Sequence, residues 1–130
     1  EQTKRIIRAM ENPHVTMIGH VTGRLLLKRK GYEINIDKII DCAAATGTII
    51  ELNCNPYRLD MDWRHWHRAR DKGVMTSINP DAHSTEQLQY LAFGVRIARK
   101  GWLRRQDVIN TQNLDEVRAF LDSDKATRKA

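Results

Sequence analysis

Short β-rich runs alternate with helical stripes along this chain. From Gln2 to Glu11 the spacing puts Ile6, Ile7 and Met10 on one helical face, and Asn12-Pro13 stops the pattern. Residues 15–19 (VTMIG) read as a buried strand that ends at His20, before a loop rich in Arg24, Lys28, Arg29 and Lys30. Asp37 is the expected N-cap of a second helix, with Ile36 before it as a staple residue. Ile39, Ile40, Ala43 and Ala44 form that helix's inward face, and Gly47 suits its C-terminal turn. Residues 48–52 (TIIEL) are a second strand, and Asn55-Pro56 turns the chain out of it. A helix over 61–72 aligns Trp63, Trp66 and Arg70 and ends at Gly73. Residues 74–78 are a third strand, followed by the loop Asn79-Pro80-Asp81-Ala82-His83. Ser84 with Gln87 predicts a capping box for a helix whose apolar side is Leu88, Leu91 and Val95. Asn113 with Glu116 repeats that signal ahead of the stripe Leu114, Val117, Leu121, and the polar residues 122–130 are expected to fray.

Successive strand–loop–helix units imply an α/β fold with parallel strands and right-handed crossovers. Periodicity fits an open sheet and part of a barrel equally well. In either, strand C-termini share one face, where active sites sit. That face would gather His20 after the first strand, Glu51 and Asn53 at the end of the second, and Asp81 and His83 after the third.

At 130 residues the chain has the size of one ordinary domain. It opens on Glu1, not Met, directly into a helical pattern, and is expected to be an excised piece of a longer protein. A net charge of +6 favours polyanionic partners such as nucleic acid or phosphorylated substrates. No apolar run approaches the roughly 18 residues that suggest a membrane span. With no secretory signal and Cys42 and Cys54 as its cysteines, the expected setting is the cytoplasm, with free thiols and Cys42 in core packing.

His, Asp and His are suitable ligands for Zn²⁺ or Mn²⁺, so His20, Asp81 and His83 are the candidate metal ligands. Asp81 and His83 flank Ala82, and in an extended loop positions i and i+2 point the same way. His65 and His67 are also two apart but lie in a helical stretch, where about 200° separates them and their side chains diverge. Nothing identifies a base beside Cys54, and no Gly-rich phosphate loop is present. Arg24 and Arg58, in loops on the presumed active face, are candidates to clamp a phosphate.

Three motifs in order resemble the PHP (polymerase and histidinol phosphatase) domain, in the version found at the C-terminal end of bacterial family X DNA polymerases. They are Gly19-His20-Val21-Thr22-Gly23-Arg24-Leu25-Leu26, Glu51-Leu52-Asn53-Cys54-Asn55-Pro56-Tyr57-Arg58-Leu59-Asp60 and Ser77-Ile78-Asn79-Pro80-Asp81-Ala82-His83-Ser84. Gly94-Val95-Arg96-Ile97-Ala98-Arg99-Lys100-Gly101-Trp102 and Val108-Ile109-Asn110-Thr111 extend the resemblance. It implies part of a distorted seven-stranded, TIM-like β/α barrel with a trinuclear metal site at the strand C-termini. It also implies phosphoester hydrolysis, and with it 3′→5′ exonuclease and end-processing activity on DNA in repair. By motif, His20 becomes a late histidine ligand, and Asp81 and His83 the final Asp-x-His ligands. Glu51, Asn53 and Arg58 match motif positions without a ligand role. The implied cofactors are divalent metals, Mn²⁺ or Zn²⁺ first and Mg²⁺ as the alternative.

Val21 stands where the family often has Pro, and Pro80 where Thr or Ser is usual. The family's opening His-x-His motif and middle His and Glu ligands have no counterpart here. On this reading residues 1–111 are the C-terminal portion of the phosphoesterase domain and 112–130 a terminal helix with a polar tail. The full-length protein is expected to be catalytic and this chain alone inactive, self-associating through exposed strand edges and core. The competing expectations are a stand-alone small-molecule phosphatase of the histidinol phosphatase type, and a non-catalytic DNA-binding or scaffold module. The expected partner is DNA, with no membrane association.

Overall fold

A computed structural model describes residues 1–128. It contains a parallel sheet of three strands in the order β1-β2-β3: β1 (Met17–Ile18), β2 (Ile49–Asn53) and β3 (Thr76–Asn79). Met17 pairs with Ile49, and Glu51, Leu52 and Asn53 pair with Ser77, Ile78 and Asn79. Sequential order among parallel neighbours, with right-handed crossovers, places the connecting helices on one face of the sheet. These are α2 (Ile36–Thr46) and α3 (Trp66–Asp71), with α1 (Gln2–Glu11) leading in and α4 (Leu91–Lys100) and α5 (Leu114–Asp122) following β3.

Side chains alternate across a strand. Ile50, Leu52 and Ile78 face the helical layer, whose core also holds Met10, Ile39, Ile40, Ala43, Trp66, Ala69 and Ala98. Gly94 lets α4 lie close on this face: a Cβ there would come within 2.3 Å of Ile78 Cγ2. Glu51, Asn53, Ser77 and Asn79 project to the other face, where they bond to one another.

α1 occupies the predicted span, and Gly47 ends α2 with a left-handed φ of 68°. The N-cap of α2 is Asn35, not Asp37, because the Asn35 side chain accepts the Lys38 N–H; Asp37 and Ile36 fall inside the first turn. β1 is shorter than the apolar run 15–19. The 61–72 segment divides into a 3₁₀ turn at Trp63–His65, capped by Asp62, and the short α3.

Three further expectations need correction. Gln87 does not close a capping box on Ser84; its side chain accepts the His83 N–H at 2.8 Å. Leu88, Leu91 and Val95 do not enter the core, and α4 buries Gly94 and Ala98 instead. The segment after Asp122 is not a frayed tail as far as Arg128. It forms a 3₁₀ turn at Lys125–Arg128, and the buried Lys125 ammonium donates to the Met10 and Asn12 carbonyls at the end of α1. The expectation for Lys129 and Ala130 lies outside the described residues.

Candidate active site

His20 follows β1, and Asp81 lies two residues beyond β3. Both have left-handed backbone, with φ of 30° and 53°, a conformation that costs a non-glycine residue about 1–3 kcal/mol and clusters at functional sites. Neighbouring groups hold both turns. The His20 N–H donates to Glu51 Oε2 at 2.6 Å. The Asp81 carboxylate accepts from Asn53 Nδ2 and from Arg58 Nε, each at 3.1 Å.

Glu51 joins the two turns. It is largely buried on β2 and makes no ion pair among the described residues; N–H dipoles surround it instead. Besides His20, Asn79 Nδ2 donates to Oε1 at 2.9 Å and Asn53 Nδ2 approaches Oε2 at 3.4 Å. Gly19 leaves room for it, since a Cβ there would lie 3.1 Å from Oε2.

Asp81, His83, Arg58, Tyr57 and Lys28 line one open cleft of about 270 Å³. His83 Nδ1 lies 2.8 Å from the Asp81 carbonyl oxygen. With Nδ1–H donating there, Nε2 keeps its lone pair, the arrangement that orients metal-binding imidazoles. Asp81 Oδ1 has no hydrogen-bond partner among the described residues. The donors of Asp81 and His83 therefore fit a divalent cation at the strand C-termini. His20 lines a different cleft, with Arg5 and Tyr32. Among the described residues no three His, Cys, Asp or Glu side chains converge on one point, so His20, Asp81 and His83 do not form a closed three-residue site.

The two candidate phosphate ligands differ. Arg24 has all three nitrogens engaged: Nε donates to the Arg58 carbonyl at 2.8 Å, Nη1 pairs with Asp62 at 3.1 Å, and Nη2 donates to the Leu59 carbonyl. It fastens the loop after β1 to the loop after β2. Arg58 spends Nε on Asp81 and makes a long contact from Nη1 to the Arg24 carbonyl, 3.4 Å, leaving Nη2 unbonded among the described residues at the cleft.

Asp60, the last residue of the second motif and given no role by the sequence, completes this arrangement. Fully buried, it accepts the Thr22 and Gly23 N–H groups at 3.1 and 3.0 Å, while its own backbone pairs with Asn53. Burial raises its carboxyl pKa, against the pull of those hydrogen bonds and of Arg24. Cys54 is buried against the Asn79 carbonyl, and burial pushes its thiol up to about 11, which fits packing and not nucleophilic attack. His65 and His67 remain apart from this site; His67 pairs with Asp71 at 3.3 Å.

The chain is 48% identical over 118 residues to the DNA polymerase/3′-5′ exonuclease PolX of Bacillus subtilis. It is similar to one stretch of a PolX polymerase. The matched region is 91% of this chain and 21% of PolX, so the chain spans about a fifth of that relative. A probable phosphatase of a Thermoanaerobacter species is 24% identical over 129 residues, covering 95% of this chain and 50% of the phosphatase. One from Caldanaerobacter subterraneus is 25% identical over 125 residues, covering 92% of this chain and 46% of its own length. No protein-family profile matches the chain. No helix among the described residues is long and apolar enough to cross a membrane.

Proposed function

We propose that this chain is the C-terminal portion of the PHP phosphoesterase domain of a family X DNA polymerase, and that the full-length protein removes nucleotides from DNA 3′→5′. The carrying observation is the convergence of Asp81, His83 and Arg58 on one cleft at the C-terminal ends of parallel strands. The similarity to PolX supports DNA as substrate, as does the net charge of +6. The three strands in sequential order would be an arc of the seven-stranded barrel. The remaining ligands would come from chain outside the described residues.

Asp81 and His83 would hold a divalent cation, Mn²⁺ or Zn²⁺, through Asp81 Oδ1 and His83 Nε2; His20, the third candidate ligand, lines a separate cleft. Such a cation supplies Lewis acidity and activates water for attack on phosphorus. The chain's own residues do the rest. Arg58 donates toward a phosphate oxygen while its Nε bond steers Asp81. Asn53 donates to the same carboxylate oxygen, Oδ2, as Arg58; Gln87 holds the His83 backbone N–H, and the Asp81 carbonyl orients its imidazole through Nδ1.

The test is exonuclease activity of the full-length protein on 5′-labelled single-stranded DNA with added Mn²⁺. Asp81→Asn and His83→Ala should each lower the rate by 100-fold or more, on the order expected for lost metal ligands. Polymerase activity should persist. Undiminished 3′→5′ hydrolysis in both variants would overturn the assignment. The phosphatase relatives favour a second reading, hydrolysis of free phosphomonoesters. Turnover of p-nitrophenyl phosphate with intact DNA ends would select it.

A further inference from the structure

On the outer helical layer, Trp63, Arg64, His67, Lys100, Gly101 and Trp102 line a cleft of about 220 Å³ that the hydrolytic site does not use. Its two indoles are unusually open, Trp102 at 64% and Trp63 at 39% exposure, whereas Trp66 between them in sequence is fully buried. Cations surround them. Lys100 Nζ sits 4.5 Å from the Trp63 ring centre and makes no ion pair among the described residues. Arg70 lies 6.0 Å from the Trp102 ring, and His67 meets Trp102 edge-on at 5.7 Å. Asp62 and Asp71 offset part of this charge through Arg64 and Arg70.

The backbone is the second observation. Trp102 follows α4 with a left-handed φ of 64°, the position glycine ordinarily takes after a helix. The adjacent glycine answers a different need: Gly101 has a φ of −82°, and a Cβ on it would come within 2.6 Å of Trp66 Cβ. Packing thus explains Gly101, while Trp102 takes a left-handed backbone with most of its side chain exposed. Strain held with an unburied aromatic side chain is the pattern of a ligand-facing position.

We propose that this cleft binds an unpaired nucleobase of single-stranded DNA, the base stacking on Trp102 or Trp63 and the adjoining phosphates facing Lys100 and Arg64. Aromatic platforms among cations are how proteins hold single strands without sequence preference. The choice of DNA over free nucleotide rests on the polymerase-related reading; the stacking site does not. Asp62 bonds both Arg64 and Arg24, so the cleft is joined by direct contacts to the loops that carry Arg58.

The experiment uses the full-length protein in EDTA, so that hydrolysis and the fate of the metal reading do not enter. A thymidine 12-mer carrying 5-iododeoxyuridine is photo-crosslinked and the adduct is mapped by mass spectrometry. Affinities for the 12-mer and for an abasic strand of equal length are measured by anisotropy. The expected adduct is on Trp102 or Trp63. Trp102→Gly, which suits the left-handed backbone and should fold, is expected to weaken the thymidine strand roughly tenfold with no change for the abasic strand. Trp102→Phe should restore most of the loss. Adducts confined to other residues, or equal losses for both strands, would overturn the proposal.

Discussion

The Glu51 carboxylate accepts the backbone N–H of His20 at 2.6 Å, and through this bond the second strand sets the turn that ends the first. Asn79 and Asn53 donate to the same carboxylate, so donors converge on it with no cation among the described residues to share it. Glutamine is the informative substitution. It keeps the volume but replaces one acceptor oxygen with an NH₂ that must face another donor. Glu51→Gln should therefore destabilise the fold by about 1–3 kcal/mol, read from the urea midpoint. A variant as stable as the parent would show that His20 is held by something else.

Arg24 and Arg58 should separate by what they lose. Arg24 satisfies the carbonyls of Arg58 and Leu59 and pairs with Asp62. Arg24→Ala should cost about 2–3 kcal/mol of stability. Arg58 makes one partly exposed ion pair, with Asp81. Arg58→Ala should cost about 1 kcal/mol or less yet raise KM for DNA more than Arg24→Ala does. Urea titrations and exonuclease kinetics on both full-length variants check the split. A large stability loss for Arg58 with unchanged KM would reverse the two roles.

Much of this organisation was legible in the sequence because periodicity reports burial. The Ile6, Ile7 and Met10 stripe, the buried runs of β2 and β3, and Gly47 all lie where the pattern puts them. Position along the strands also anticipated which ends carry His20, Asp81 and His83. Polar cross-strand pairing was not legible. The sequence pattern makes Asn79 the start of a loop, yet it is the last residue of β3, aligned with Asn53 and bonded to Glu51. The Glu-x-Asn and Ser-x-Asn spacings were the available signal, since period two puts each pair on one face. Leu88, Leu91 and Val95 misled for a related reason: a helical stripe shows that a face is apolar, not what covers it.

Asp62 gives the acid limb of stability a definite sign. The Arg64 guanidinium, aided by the Asp62 bonds to the Arg64 and Arg24 N–H groups, holds its carboxyl well below the usual carboxylate range. A carboxylate depressed in the folded state adds stability above its unfolded pKa, about 3.9. That stability disappears as pH falls from there toward the folded value. Asp60 has the opposite sign, because burial raises it and its ionisation costs stability as pH rises. Asp62→Asn should thus lower stability at neutral pH and flatten its decline below about pH 4. Urea midpoints between pH 2.5 and 7 test this. Parallel curves for parent and variant would exclude Asp62 as a contributor.

The apolar faces set the behaviour of this chain in isolation. Leu88, Leu91 and Val95 recur at helical spacing and lie exposed along α4 and the turn before it, and Leu114 and Leu121 do so on α5. The two edges of the sheet are unequal. Beyond β3, the Asn110 side chain bonds both the N–H and the carbonyl of Ile78, at 2.8 and 2.9 Å, and Val108 bridges to Thr76. β1 is paired on one side alone among the described residues. One sheet edge is therefore capped and the other, though short, is open to a further strand. We expect the 130-residue chain to self-associate at micromolar concentration in sedimentation velocity. Leu91→Lys with Val95→Lys should return it toward monomer if the helical face carries the contact. Unchanged association in that variant would point instead to pairing at β1. A monodisperse monomer in the parent chain would sink both.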